Sequence, residues 1–258
     1  MRGLDLFIHA VRMVLGNMAM TLRVGGVLLV VLVILLQIIG PAYFAPPVAA
    51  GMGMNPMSGG SLATFALGLL RIVFGLWVAV AWHRYILLEE APGAYAPQWN
   101  GVAIWAYFKA GFVLALILVA AIIPMMIIGG FVLFPLFGVS GGSGAVTGLV
   151  VFLILYLPAA YIAYRLSPML PSAAVGTRMP VRDAWYATGT SGSAFVILTI
   201  VSLIAAWAIN LPGMYLAQIA SPVALLWVAV AEWLSLMVGA SILTTIYGHY
   251  VQKRDLNA

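Results

Sequence analysis

The chain has 258 residues, 65% of them hydrophobic and only 7% charged, against roughly 45–50% and about 25% in soluble domains. So few charges cannot cover a water-exposed surface, and the absence of cysteine excludes disulfides, thiolate metal sites and a cysteine nucleophile. The net charge of +5 informs through its placement rather than its sum.

The first element is short. Leu4, Phe7, Ile8, Val11 and Leu15 recur at helical spacing, with Asp5, His9, Arg12 and Gly16 on the other side. This pattern predicts an amphipathic helix lying flat in the membrane interface. Six apolar stretches follow, at 24–45, 62–86, 111–136, 145–164, 194–215 and 223–247. Each reaches the roughly 20 residues needed to cross about 30 Å of hydrocarbon. Each must satisfy its own backbone hydrogen bonds in lipid, so each is predicted to be a helix. A β-barrel would need segments of about ten residues with alternating polarity, and the sequence has none. Arg-rich residues, an apolar run and Val48-Ala49-Ala50 imitate a cleaved secretory signal. The basic region is too long for one, and the apolar run 24–39 reaches the usual limit of about 15 residues, so the first span is expected to stay.

The connecting segments are of two kinds. Residues 46–61, 137–144 and 216–222 carry no charge, whereas the remaining segments hold every Lys and Arg of the chain except Arg71. Basic loops stay inside, which places both termini and the loops around Glu89 and Arg178 in the cytoplasm. The expectation is an all-α, polytopic membrane bundle of six transmembrane helices, with an N-terminal interfacial helix, forming one integral domain over 1–258.

A repeated unit is visible in the loops. His83-Arg84-Tyr85-Ile86-Leu87 closes the second span and Tyr164-Arg165-Leu166-Ser167-Pro168 the fourth. Ile104-Trp105-Ala106-Tyr107 and Ala184-Trp185-Tyr186-Ala187 then precede the next spans. The pattern suggests a unit used three times, over 1–90, 91–170 and 171–258: an interfacial helix, a span out, an uncharged turn and a span back. With its short uncharged outer turns and Arg165-Leu166-Ser167-Pro168 before a Trp-containing segment, the chain resembles bacterial six-span inner-membrane proteins of the YciC family. It is also similar in layout to the membrane domain attached to some glycerophosphodiester phosphodiesterases. The resemblance implies a bacterial inner-membrane location and carries over no activity and no functional residue.

Two ionisable residues fall inside spans, Arg71 in the second and Glu232 in the sixth. A charge at mid-helix costs about 2.5–3.5 kcal/mol to insert, so it faces protein or water and finds a partner. Both lie about nine or ten residues in from the same side, near 14 Å at the helical rise, and a guanidinium can take a carboxylate through two hydrogen bonds. Gln37 in the first span and Asn210 in the fifth share that outer half. These four polar residues form either a clasp that orients helices or the lining of a substrate or proton path.

Other groups point to chemistry less strongly. His9, His83 and His249 map to the interface without metal-ligand spacing. Glu89-Glu90 reads as a solvated pair with no His or Ser beside it to make a general acid. The Gly-rich runs 51–60 and 138–144 lack the Lys-Ser or Lys-Thr of a phosphate loop and read as turns. Met52, Met54 and Met57 offer thioethers that suit Cu(I), but apolar contact with the outer interface is the better account of them. Pro124, Pro135, Pro158 and Pro212 are expected to break spans three, four and five, as in transporters.

Two function classes follow. One is a non-enzymatic membrane component or partner subunit in envelope upkeep; the other is a small transporter or channel with its polar site at Arg71 and Glu232. An intramembrane enzyme ranks behind both, because no catalytic constellation can be assembled. No cofactor is expected. The expected partners are membrane lipid, other membrane proteins or a second copy of the chain, and no nucleic acid.

Overall fold

A computed structural model describes residues 3–43, 62–93, 96–133, 152–189, 192–219 and 221–255. The described residues are all helical or irregular, with no strand. They contain six helices long and apolar enough to cross a bilayer, and the protein is an integral membrane protein of the all-α class.

Helix α1 spans Gly3–Leu15 and α2 spans Met18–Tyr43. Gly16 and Asn17 form the turn between them, and the Thr21 hydroxyl on α2 reaches back to the Val14 carbonyl at 2.9 Å. The first helix is therefore separate from the first span. Leu4, Ile8 and Leu15 stay exposed, but a second stripe, Gly3, Leu6, Ala10 and Val14, is buried. Leu6 and Ala10 pack with Phe195, Leu198, Ile242 and Ile246. The helix thus has two apolar faces, and the packed one was hidden because Gly and Ala carry little hydrophobic signal. Gly3 is where close approach requires glycine: a Cβ there would sit 2.0 Å from the Ala194 carbonyl oxygen and 2.7 Å from the Leu198 nitrogen. Gly3→Ala should therefore undock α1, costing about 1–3 kcal/mol. Hydrogen exchange should show faster exchange across residues 4–14; unchanged protection there would contradict so tight a contact.

Helix α3 covers Leu62–Leu88 and α4 Gly101–Leu133. With 33 residues, α4 is about 50 Å long at the helical rise and overshoots the hydrocarbon. Its first turns contain the Ile104–Tyr107 segment, with Asn100 accepting from the Ala103 N–H at 3.0 Å as N-cap. The separate interfacial helix expected in the second repeat unit is thus the beginning of a span. A π-helical turn, Phe152–Tyr156, leads into α5, Leu157–Leu166, with Pro158 in its first turn. There the missing N–H disturbs least.

Two short helices, α6 (Met169–Ala174) and α7 (Val181–Ala187), precede the long α8 (Gly192–Ile219) and α9 (Ser221–Tyr250). Pro124 and Pro212 do not end their helices: α4 and α8 continue through them. Beside Pro212 the Trp227 indole N–H donates to the Ile209 carbonyl at 2.8 Å. A neighbouring helix thus supplies a donor where proline disturbs the ladder. Pro135 lies outside the described residues.

Helix α9 is the hub, touching α1, α2, α3, α6 and α8. Its apolar residues are spread around the helix rather than along one stripe, as in a helix surrounded by protein. Small residues, Ala224, Ala229 and Ala240, are buried along it and let neighbouring backbones approach. α4 is the opposite case, with Phe112, Leu116, Val119, Ile123 and Ile127 all exposed.

Candidate functional site

Three polar contacts join α3 to α9. Arg71 donates to Glu232 in a salt bridge. The Trp82 indole N–H donates to the Ser241 hydroxyl at 2.8 Å, and His83 Nδ1 lies 2.8 Å from the Thr244 hydroxyl. The partners are separated by 161, 159 and 161 residues. A nearly constant offset means that the two helices run parallel and in register. That register is what brings a charge on the second span level with one on the sixth.

The Arg71–Glu232 pair lines a cleft of about 450 Å³ between α2, α3, α4 and α9. Its walls are largely aliphatic, including Leu28, Leu32, Leu76 and Leu236, and Tyr107 is the remaining polar residue on them. The side chains of Arg71 and Glu232 are 35% and 27% exposed. The pair is therefore both a clasp between helices and a polar patch in a mostly apolar recess.

Beside the cleft is a second polar unit that the sequence reading missed. His83 is fully buried among its neighbours. Thr244 gives its hydroxyl proton to the Ala240 carbonyl at 2.8 Å, so its oxygen is left to accept from His83 Nδ1–H. His83 Nε2, 3.3 Å from the Tyr107 hydroxyl, then accepts the tyrosine proton. The chain Tyr107–His83–Thr244–Ala240 satisfies both imidazole nitrogens and ties α3, α4 and α9 together. Nothing in the sequence singled out Tyr107, which stands beside Trp105 in an aromatic segment.

Among the described candidates, Asn210 and His249 do not join this site. Asn210 is exposed on α8 and turns back to its own helix, donating to the Ala206 carbonyl at 2.8 Å. Gln37 lies on α2, but its side chain is outside what the structure describes, as are the Met-rich and Gly-rich segments at 51–60 and 138–144. His249 is bonded to the Arg254 carbonyl at 3.2 Å. Among the described residues no cluster of three His, Asp or Glu stands together. Glu90 is not simply solvated: Arg84 holds it in a salt bridge.

Arginines at the end of the bundle that carries both chain termini close helix ends. Unpaired carbonyls at a helix C-terminus attract cations. Arg84 donates to the Ala174 carbonyl at the end of α6, and Arg254 to the Ile86 and Leu87 carbonyls at the end of α3. Arg165, 7% exposed, reaches the Trp185 carbonyl on α7, the Tyr161 hydroxyl and the Thr188 hydroxyl. Its guanidinium also lies 4.0 Å from the centre of the Trp185 ring. A residue read from sequence as a topology marker and a repeat element is thus a buried connector. No protein-family model, curated protein or solved structure matches this chain.

Proposed function

We propose that the protein is a non-enzymatic component of a bacterial inner membrane, a partner subunit in envelope upkeep whose work depends on the folded helical surface. One observation carries this reading. The polar groups inside the bundle are spent on holding helices to one another, as the Arg71–Glu232 pair and the His83 chain do. Both termini are cytoplasmic, α1 lies in that interface with Leu4, Ile8 and Leu15 among acyl chains, and the layout keeps its resemblance to YciC-type proteins. The threefold unit belongs to the same reading, with its second interfacial helix fused to α4.

The test uses a strain lacking the protein and its tolerance of envelope stress such as detergent or chelator. Wild type and the double variant Arg71→Leu/Glu232→Leu should restore tolerance equally, because an apolar pair preserves the surface. Restoration by wild type alone, with the double variant folded, would reject this reading. It would favour the second one, a small transporter, which is supported by the exposure of the ion pair in the cleft.

Orientation is tested separately. Ser58→Cys, Ser143→Cys and Ala220→Cys should each be labelled by an impermeant thiol reagent added to intact cells. Arg178→Cys should be labelled only after the membrane is opened; labelling in intact cells would invert the topology.

A further inference from the structure

A larger recess, about 750 Å³, lies between α4 and the segment joining α6 to α7. One wall is a single face of α4, Val102, Ala106, Lys109 and Val113, and the other includes Met169 and Arg178. Two cations on an apolar wall are unusual in this molecule, where Arg84, Arg165 and Arg254 are engaged by carbonyls or a carboxylate. Among the described residues neither Lys109 nor Arg178 has a carboxylate partner. Among the described residues the contact given to Lys109 is the Trp105 ring, 6.0 Å from its ammonium.

The segment carrying Arg178 is held in place. Gly176 has φ +84°, a conformation that favours glycine. The Thr177 N–H donates to the Ser172 carbonyl at 2.9 Å, the Ser172 hydroxyl donates to the Thr177 carbonyl, and the Thr177 hydroxyl lies 3.2 Å from that of Tyr247. Arg178 is thus presented on a formed turn, which lowers the ordering cost of binding. Depth identifies the occupant. From Lys109, α4 continues for 24 described residues to Leu133, about 36 Å at the helical rise. At least that length of apolar helix follows Lys109, enough to cross the roughly 30 Å of hydrocarbon, so the ammonium stands at headgroup level while Val113 faces the acyl region below it.

We propose that this recess binds one anionic phospholipid, its phosphate taken by Lys109 and Arg178 and an acyl chain lying along Ala106, Ala110 and Val113. The site is separate from the Arg71–Glu232 cleft and stands whichever function that cleft serves. Each basic residue near a membrane surface contributes about 1 kcal/mol toward anionic lipid, so losing both should weaken binding ~30-fold.

The test is native mass spectrometry of the full chain, titrated with phosphatidylglycerol or phosphatidylcholine. Wild type should retain one phosphatidylglycerol preferentially. Lys109→Gln/Arg178→Gln should lose that preference, while Arg23→Gln/Lys253→Gln, of equal net charge and also exposed, should keep it. Excess soluble glycerol phosphate should not displace the lipid. Equal binding of both lipids, equal loss in the control variant, or displacement by the soluble headgroup would each overturn the proposal. The substituted side chains are all exposed, and unchanged thermal unfolding of both variants confirms that binding is being compared between folded proteins.

Discussion

Arg71→Leu and Glu232→Leu are each expected to lower the yield of folded protein, and the double replacement to recover much of it. The two residues form a salt bridge between α3 and α9, helices whose register is shared along their length. Removing one partner leaves a part-exposed charge among Leu28, Leu32 and Leu236, so the cost should fall below the about 3–5 kcal/mol of a fully buried uncompensated charge. Removing both substitutes an apolar contact for the pair, which is often neutral. Folded yield by size exclusion and thermal unfolding in detergent measures the cycle. Additive loss in the double variant would mean that the side chains do not interact. Normal folding of all three variants would mean that the pair contributes no clasp.

His83→Ala should be similarly damaging. It removes a buried ring and the hydrogen bonds to Thr244 and Tyr107, each worth about 1 kcal/mol, and leaves the Tyr107 hydroxyl without its acceptor. With the cavity added, a loss of about 3 kcal/mol is expected. Tyr107→Phe removes one bond and should cost about 1–3 kcal/mol, since the imidazole Nε2 loses its donor. In the double variant the losses should sum to less than the two singles, because the hydroxyl removed in the second step was already orphaned. Full additivity in thermal unfolding would show that the imidazole and the phenol are not coupled.

Much of the architecture was legible because lipid imposes a strict requirement. Long apolar segments must be helices there, and each of the six stretches overlaps one of the six helices long and apolar enough to span. Arg71 and Glu232 stood out for the same reason: in an apolar background an isolated charge is conspicuous. His83 did not, since it shares its segment with Arg84 and Tyr85, and a histidine near a basic span end has the composition of an interface. Asn210 was grouped with the ion pair by depth, but depth says nothing about direction around a helix, and its amide turns to the Ala206 carbonyl. The buried stripe of α1 was missed because Gly3 and Ala10 mark contact by small size, whereas hydropathy patterns register large side chains.

The sequence by itself determined which segments are helices and that two opposite charges stand at one depth, since both depend on local composition and the helical rise. Tertiary structure alone decided that α9 is the hub and that Tyr107 meets His83. Those outcomes depend on which face each helix turns inward. In a chain apolar on nearly every face, inward and lipid-facing residues have the same composition, and only the fit of small against large side chains separates them.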